Sequence, residues 1–439
     1  MANTLRLLGL PGFLQNKLLS LIPQLQREIW IISWCGFLFH LGRGFTLVYT
    51  PLFLVDQVGL SATEVGVGIS IAALSGVFGR FASAYLIDTP RWGSKKAFLL
   101  AAIIHIVACL ALAFVNSFST LVLANIFLGL ALSFYWPTIK SIGTNYASPQ
   151  KRAEAFSLNR LADNLGLIGG VFLAGKLVAF TSNYRLLFLL QGLCCAILFV
   201  VIFLLLSETN QEQESKPETI TKSGQSWQQI FQDKGLLIWL GTNVFFTVYE
   251  SQLHTTMPIY FSKFMSTGVA SRGFLPETIS LLFVVHTACN CLLQLPIGKL
   301  LNRLRRTYGL IISIVLWGTG FGLIWLAEFV PQYGIVWAVS ALIMFSLALS
   351  TYVPSANSLM GDLAPESQRG LYFSLDSQCW AVGYLVGPSL GGWALDQSGE
   401  FAHNFWLFLG VTFVLGIATL LVVERIIYSH SHNGEHTLS

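Results

Sequence analysis

The sequence predicts an all-α integral membrane protein, with twelve transmembrane helices in two pseudo-symmetric six-helix bundles, on three observations. First, the 439 residues are 54% hydrophobic and only 10% charged, where soluble domains carry roughly 25% charge. Second, the apolar stretches run to about the 20 residues that a bilayer-crossing helix needs. Third, residues 131–175 recur 217 positions later. Ala131, Leu132, Ser133, Tyr135, Pro137 and Ser141 reappear as Ala348, Leu349, Ser350, Tyr352, Pro354 and Ser358; Arg152 reappears as Arg369; Phe156-Ser157-Leu158 reappears as Phe373-Ser374-Leu375. Gly166 and Gly170 return as Gly383 and Gly387, and the 45 aligned pairs hold 15 identities. A membrane chain that repeats itself sets two homologous halves about a symmetry axis, and in transporters of that kind the substrate site lies where the repeats meet.

The elements follow in order. Residues 1–29 form a tail in which Leu18, Leu19, Leu21, Ile22 and Leu25 mark a short amphipathic stretch lying on the membrane surface. Arg6, Lys17 and Arg27, scattered among leucines, lack the compact layout of a cleavable signal. The first bundle, 30–206, holds spans at 30–55, 64–87, 97–115, 119–144, 154–178 and 184–206. A linker, 207–234, contains the polar run Glu208 to Gln232, which has no apolar periodicity. The second bundle, 235–426, holds spans at 235–262, 276–301, 308–327, 333–359, 370–395 and 402–426, and residues 427–439 form a second tail.

Short loops set the orientation through their lysines and arginines. With the N-terminus inside, 18 of the 25 basic residues are cytoplasmic and only Lys176, Arg185, Lys263 and Arg272 lie outside. Both termini are therefore expected in the cytoplasm, with the chain in the plasma (inner) membrane. The net charge of +4 is not gathered into a nucleic-acid footprint. The seven cysteines fall inside apolar segments without metal-site or disulfide spacing. With no phosphate-binding loop and no nucleophile–base spacing either, neither an enzyme nor a bound metal or cofactor is expected.

Six spans, a linker and six more spans resemble the major facilitator superfamily, and local motifs agree. Asp88, Arg91, Gly93, Lys95 and Lys96, between the second and third spans, resemble the family's gating loop, with two extra residues and Ala84 at the usual leading glycine. Gly298, Leu300, Asn302, Arg303, Arg305 and Arg306 form the second-half counterpart, with Asn for Asp. Gly383, Gly387, Pro388, Gly391 and Gly392 are similar to the family's antiporter motif, displaced to the eleventh span. Arg43-Gly44, Arg160 with Asn164-Leu165-Gly166, and Gln252-Leu253 with Thr255, Pro258 and Tyr260 look like the drug:proton antiporter group. That group usually carries an arginine in the fourth span, where this chain has Asn125. The resemblance implies gating roles for Asp88, Arg91, Gly93, Lys95, Asn302, Arg303, Gly383, Gly387, Pro388 and Gly391, with Asp88 and the basic residues after it gripping the eleventh helix.

Charges inside spans cost about 2.5–3.5 kcal/mol each at the bilayer centre and are kept when paired, hydrated or needed. Aligning Pro51 with Pro258 sets Arg43 of the first span opposite Glu250 of the seventh. Glu250 is the expected carrier of a coupling proton, with Arg43, His254 and Asp163 around it; a static Arg43–Glu250 ion pair is the competing reading. His254 lies one turn after Glu250 on the same face. Arg160, Asp163 and Asn164 form a polar cluster in which Arg160 pairs with Asp163. The expected substrate cavity adds His40, Tyr135, Phe246, Tyr249, Tyr352, Asp376 and Trp380. Its rings suit flat amphipathic compounds through stacking and cation–π contacts.

The leading expectation is thus a monomeric transporter that exchanges protons for small amphipathic molecules by alternating access. Proton-coupled uptake of a sugar or organic acid is the alternative, and a receptor or assembly factor the third.

Overall fold

The computed structural model describes residues 25–88, 93–146, 151–206, 232–265, 273–301, 304–365 and 368–435. The amphipathic stretch expected before residue 25 and most of the linker lie outside these residues. All regular structure among the described residues is helical. In the first half α1 (Arg27–Leu47) breaks into α2 (Tyr49–Asp56), followed by α3 (Ala62–Asp88), α4 (Gly93–Ala113), α5 (Phe118–Tyr146), α6 (Arg152–Thr181) and α7 (Arg185–Leu205). In the second half α8 (Lys234–His254) breaks into α9 (Thr256–Lys263), followed by α10 (Pro276–Leu301), α11 (Arg306–Leu326), α12 (Gly334–Leu363) and α13 (Arg369–Leu395). Last come α14 (Gly399–Val411) and α15 (Phe413–Glu435), so the final helix runs beyond the expected boundary at 426.

The two breaks are related by the repeat. Val48 and Thr255 interrupt the first helix of each half 207 residues apart, each just ahead of a proline, Pro51 or Pro258. Proline is tolerated there because an amide in the first turn of a helix has no intrahelical acceptor in any case.

Among the described residues, ten helical segments are long and apolar enough to cross a membrane, against the twelve expected. The two that fall short are α8–α9 and α13. The reason is chemical: α8 carries Thr242, Asn243, Thr247, Glu250, Ser251, Gln252 and His254, and α13 carries Ser374, Asp376, Ser377 and Gln378. These two helices pack on each other, so their polar groups find partners within the protein rather than in lipid.

Helix packing repeats between the halves. α1 packs on α6 as α8 packs on α13, α3 on α5 as α10 on α12, and α4 on α5 as α11 on α12. The crossings are close because matched small residues allow it. A Cβ on Gly44 would come within 2.8 Å of Gly170, and a Cβ on Gly387 would meet Ser251 Oγ at 1.8 Å; Gly44 corresponds to Ser251 and Gly170 to Gly387. In lipid, where apolar burial drives helix association little, such backbone approach supplies much of the packing.

The halves meet along two seams, α3 with α13 and α6 with α10, and these also correspond. Gly175 and Gly392 are repeat mates. A Cβ on Gly392 would strike the Ala62 carbonyl at 2.1 Å, and one on Gly175 would strike Ser280 at 2.6 Å. Further contacts gather at the end where α3 and α10 begin. Tyr49 donates to the Pro276 carbonyl at 2.8 Å. Ser70 and Ser389 bond at 2.9 Å. Ser280 donates to the Val171 carbonyl, and ion pairs join Lys176 to Glu277 and Lys263 to Asp56.

Gly170→Ala is expected to destabilise the protein by about 1–3 kcal/mol through overpacking. Gly241→Ala, where a Cβ would meet nothing within 4 Å, should be neutral or stabilising by up to about 1 kcal/mol. Thermal melts of the purified variants in detergent check both.

Candidate functional site

Each half presents the same small assembly on its first helix. Phe39 of α1 stacks on Tyr135 of α5 with ring centroids 3.6 Å apart, and Phe246 of α8 stacks on Tyr352 of α12 at 4.7 Å. Phe39 and Phe246 are 207 residues apart, and the tyrosines are 217 apart. One turn beyond each phenylalanine stands a charge, Arg43 in the first half and Glu250 in the second. The assemblies match in shape and are opposite in sign.

Arg43 lies within electrostatic reach of Glu250, His254 and Tyr384 across the interface, and of His105 and Tyr135 in its own half. Among the described residues Arg43 and Glu250 form no ion pair at 4.0 Å or less, so the direct pair the sequence suggested is not made. Glu250 Oε2 and His254 Nδ1 are enclosed and have no hydrogen-bond partner among the described residues. Enclosing a carboxylate oxygen without a donor is costly. His254 packs near Phe283, and the next histidine, His286 of α10, is held by Ser346 Oγ at 2.8 Å.

The polar cluster of α6 is arranged differently from the expectation. Asp163 pairs with His40 at 3.1 Å, across the α1–α6 crossing, rather than with Arg160. Gly36 lets the carboxylate in, since a Cβ there would lie 2.4 Å from Asp163 Oδ1. Arg160 stays exposed within electrostatic reach of Asp163, and Asn164 is half-buried beside them.

Asp376 is the hub of a buried network. It accepts from Trp239 Nε1 and Asn243 Nδ2, both at 2.8 Å, and Asn243 in turn accepts from the Tyr352 hydroxyl at 2.5 Å. Its repeat mate Asn159 bonds Ser33 of α1. Two expected cavity residues are packing residues instead. Tyr249 is buried against Trp317 and Phe321 and bonds Thr412 at 2.5 Å, which turns it into the second half's own core. Phe246 is buried under Tyr352. Trp380 is half-buried and stacks on Tyr384 within α13.

The glycines of α13 divide by face. Gly383, Gly387 and Gly391 meet Thr247, Ser251 and Thr256 of the α8–α9 pair, whereas Gly392 meets Ala62 and the Pro388 carbonyl meets Gly66 of α3. Gln252 donates to the Gly387 carbonyl at 2.7 Å beside the proline. Gly93, the first residue of α4, has φ +70°, a conformation that favours glycine. Lys95 does not grip α13; it donates to the Phe203 carbonyl of α7 at 3.2 Å, next to that residue's ring. Asp88 ends α3, and Arg91, Asn302 and Arg303 lie outside the described residues.

Sequence reasoning missed three features. Arg80 of α3 donates to Gln378 of α13 at 3.1 Å across the seam; a lone arginine in an apolar span was the available signal. Thr46, Gln191 and His105 form a buried chain with links of 2.8 and 3.0 Å, which no spacing rule connects. Asp396 bonds the start of α3, and an aspartate at a helix end ordinarily reads as solvated.

Comparison with known proteins adds the family. The model of the Major Facilitator Superfamily matches residues 32–275 and 255–436. The chain is 26% identical to the uncharacterized MFS-type transporter YdeE of Escherichia coli over 82% of this chain and 87% of that one. It is 23% identical to the multidrug resistance protein MdtH of Aeromonas hydrophila over 90% and 94%. Among solved structures, the nucleoside transporter NupG aligns with a TM-score of 0.76 at 16% identity, covering 91% of this chain and all of that one.

Tyr352→Phe leaves the Asn243 oxygen without its donor and should lower stability by about 1–3 kcal/mol. Tyr135→Phe, whose hydroxyl has no hydrogen-bond partner among the described residues, should leave the melting temperature unchanged. Differential scanning fluorimetry separates the two.

Proposed function

Because the chain belongs to the major facilitator superfamily, we propose that it is a secondary active transporter that exports small amphipathic compounds in exchange for protons. In this reading twelve helices form two six-helix bundles, 30–206 and 235–426, joined by a cytoplasmic linker. Both termini are cytoplasmic, in the plasma (inner) membrane. The observation that carries the reading is the pair of opposite charges at repeat-related positions, Arg43 and Glu250, near each other across the interface but not joined, with Glu250 Oε2 enclosed and unpartnered. The similarity to a multidrug resistance protein supports the direction of transport.

With the termini inside, the end at which α3 and α10 begin, where the contacts between the halves gather, faces outward. Substrate enters from the cytoplasm and reaches the interface between the halves where Arg43 and Glu250 face each other. A cationic substrate there is attracted by the Glu250 carboxylate. Rocking of the halves opens the outer end, substrate leaves, and a proton takes its place on the carboxylate. Protonation removes the attraction between Glu250 and Arg43, and this favours the return. The proton is then released inside, where each charge crossing 100 mV contributes about 2.3 kcal/mol. Asp163 with His40, and His254 beside Glu250, tune the field around this carboxylate. The glycines of α13 and the loop from Asp88 to Lys95 accommodate the rocking.

Reconstituted protein should acidify or alkalinise the vesicle lumen when a transported dye is added. Glu250→Gln should abolish that coupled pH change while still binding the dye. If this variant transports with wild-type pH dependence, Glu250 is not the coupling group.

A further inference from the structure

The start of α3 is capped from two sources. Its own residues form a capping box: Ser61 N–H donates to Glu64 Oε2 at 2.9 Å, and Glu64 N–H donates to Ser61 Oγ at 3.1 Å. A helix opens with four amides that lack intrahelical acceptors, and this box leaves those of Ala62 and Thr63 over. Both are taken by the other half. Ala62 N–H donates to Asp396 Oδ1 at 2.9 Å, Thr63 N–H to Oδ2 at 2.7 Å, and the Thr63 hydroxyl to Oδ2 at 2.5 Å. Asp396 sits at the C-terminal end of α13, directly after the segment in which Gly392 and Pro388 touch Ala62 and Gly66.

We infer that Asp396 is the latch of the α3–α13 seam: it holds closed the end of the molecule at which α3 begins, and opening there requires its bonds to the Ala62 and Thr63 amides to break. A carboxylate on backbone amides at a helix N-terminus gains from charge-assisted bonding and from the helix dipole. Asp396 is itself exposed, and the other links between charged groups at this end join side chains rather than backbone amides. Lys176 with Glu277 is an exposed pair, with side chains 60% and 49% accessible, and such pairs contribute little. The corresponding place on the other seam has no latch. There α10 begins with Pro276, which has no amide hydrogen, and the residue equivalent to Asp396 is Ala179. The lock is therefore asymmetric, built on one of two otherwise matching seams.

The test reads conformation directly and needs neither substrate nor proton gradient, so its outcome is independent of the proposed transport activity. Nitroxide labels go on Asn116 and Gln332, exposed residues at this end in opposite halves, with Cys289 and Cys291 replaced by serine. Pulsed electron–electron resonance then gives the distance distribution. Asp396→Ala should raise the long-distance population at least about threefold, the scale of losing one helix cap. Asp396→Asn should give a smaller rise and Thr63→Val the smallest. An unchanged distribution in folded Asp396→Ala overturns the latch. Should that variant fail to fold, Asp396→Asn decides on the same terms, with an unchanged distribution again overturning it.

Discussion

Backbone crowding at matched small residues fixes where the helices cross, and the placement of every polar group follows from it. Gly44 against Gly170, and Ser251 against Gly387, bring α1 onto α6 and α8 onto α13 at one register in the two halves. Neither crossing tolerates a side chain in place of glycine without a shift of backbone or of Ser251. Once the crossings are set, residues four positions apart on the first helix of each half point the same way. Phe39 and Arg43, and Phe246 and Glu250, are thus presented in equivalent places. The same closeness brings Asp163 to His40 and Asp376 to Asn243. A looser crossing would leave these carboxylates facing hydrocarbon, where a charge is expensive.

Symmetry in shape with antisymmetry in charge is the second organising fact. A duplicated chain starts with two equal halves, and equal charges at the interface would repel. Arginine at one mate and glutamate at the other produce attraction across the interface instead. Because the two groups stop short of contact, that attraction is adjustable: a proton, a cation or a small displacement changes it. A tight ion pair would hold the halves in one arrangement.

The repeat and the identity of the in-span charges were legible in the sequence, because each depends on local composition or on a long alignment; the breaks in the first helices, inside spans 30–55 and 235–262, were not read from it. Register across a crossing was not. Arg160 and Asp163 are neighbours by helical spacing, yet Asp163 turns to His40, since Gly36 opens the way from another helix. Tyr249 was expected among the rings of the cavity, but one position along a helix turns a side chain by about 100°, here away from Glu250 into the core near Trp317 and Thr412. Lys95 was assigned by family habit to α13 and found a nearer carbonyl on α7. Asp396 carried no signal at all, because its partners are backbone amides more than 300 residues away.

The shortfall of α8–α9 and α13 in hydropathy has the same origin as the site. A helix that must present Asn243, Glu250 and His254 toward protein cannot also be uniformly apolar, and its neighbour must bring acceptors and donors to meet them. Trp239, Asn243, Tyr352 and Asp376 satisfy one another in this way. Polar groups sharing a low-dielectric interior strengthen each other's bonds, and what remains unsatisfied then stands out. Glu250 Oε2 and His254 Nδ1 are such atoms, one turn apart on the helix that faces Arg43. Other enclosed atoms, such as His105 Nδ1 and the indole nitrogens of Trp317 and Trp406, also lack partners among the described residues, but of these unpaired groups Glu250 is the one carboxylate.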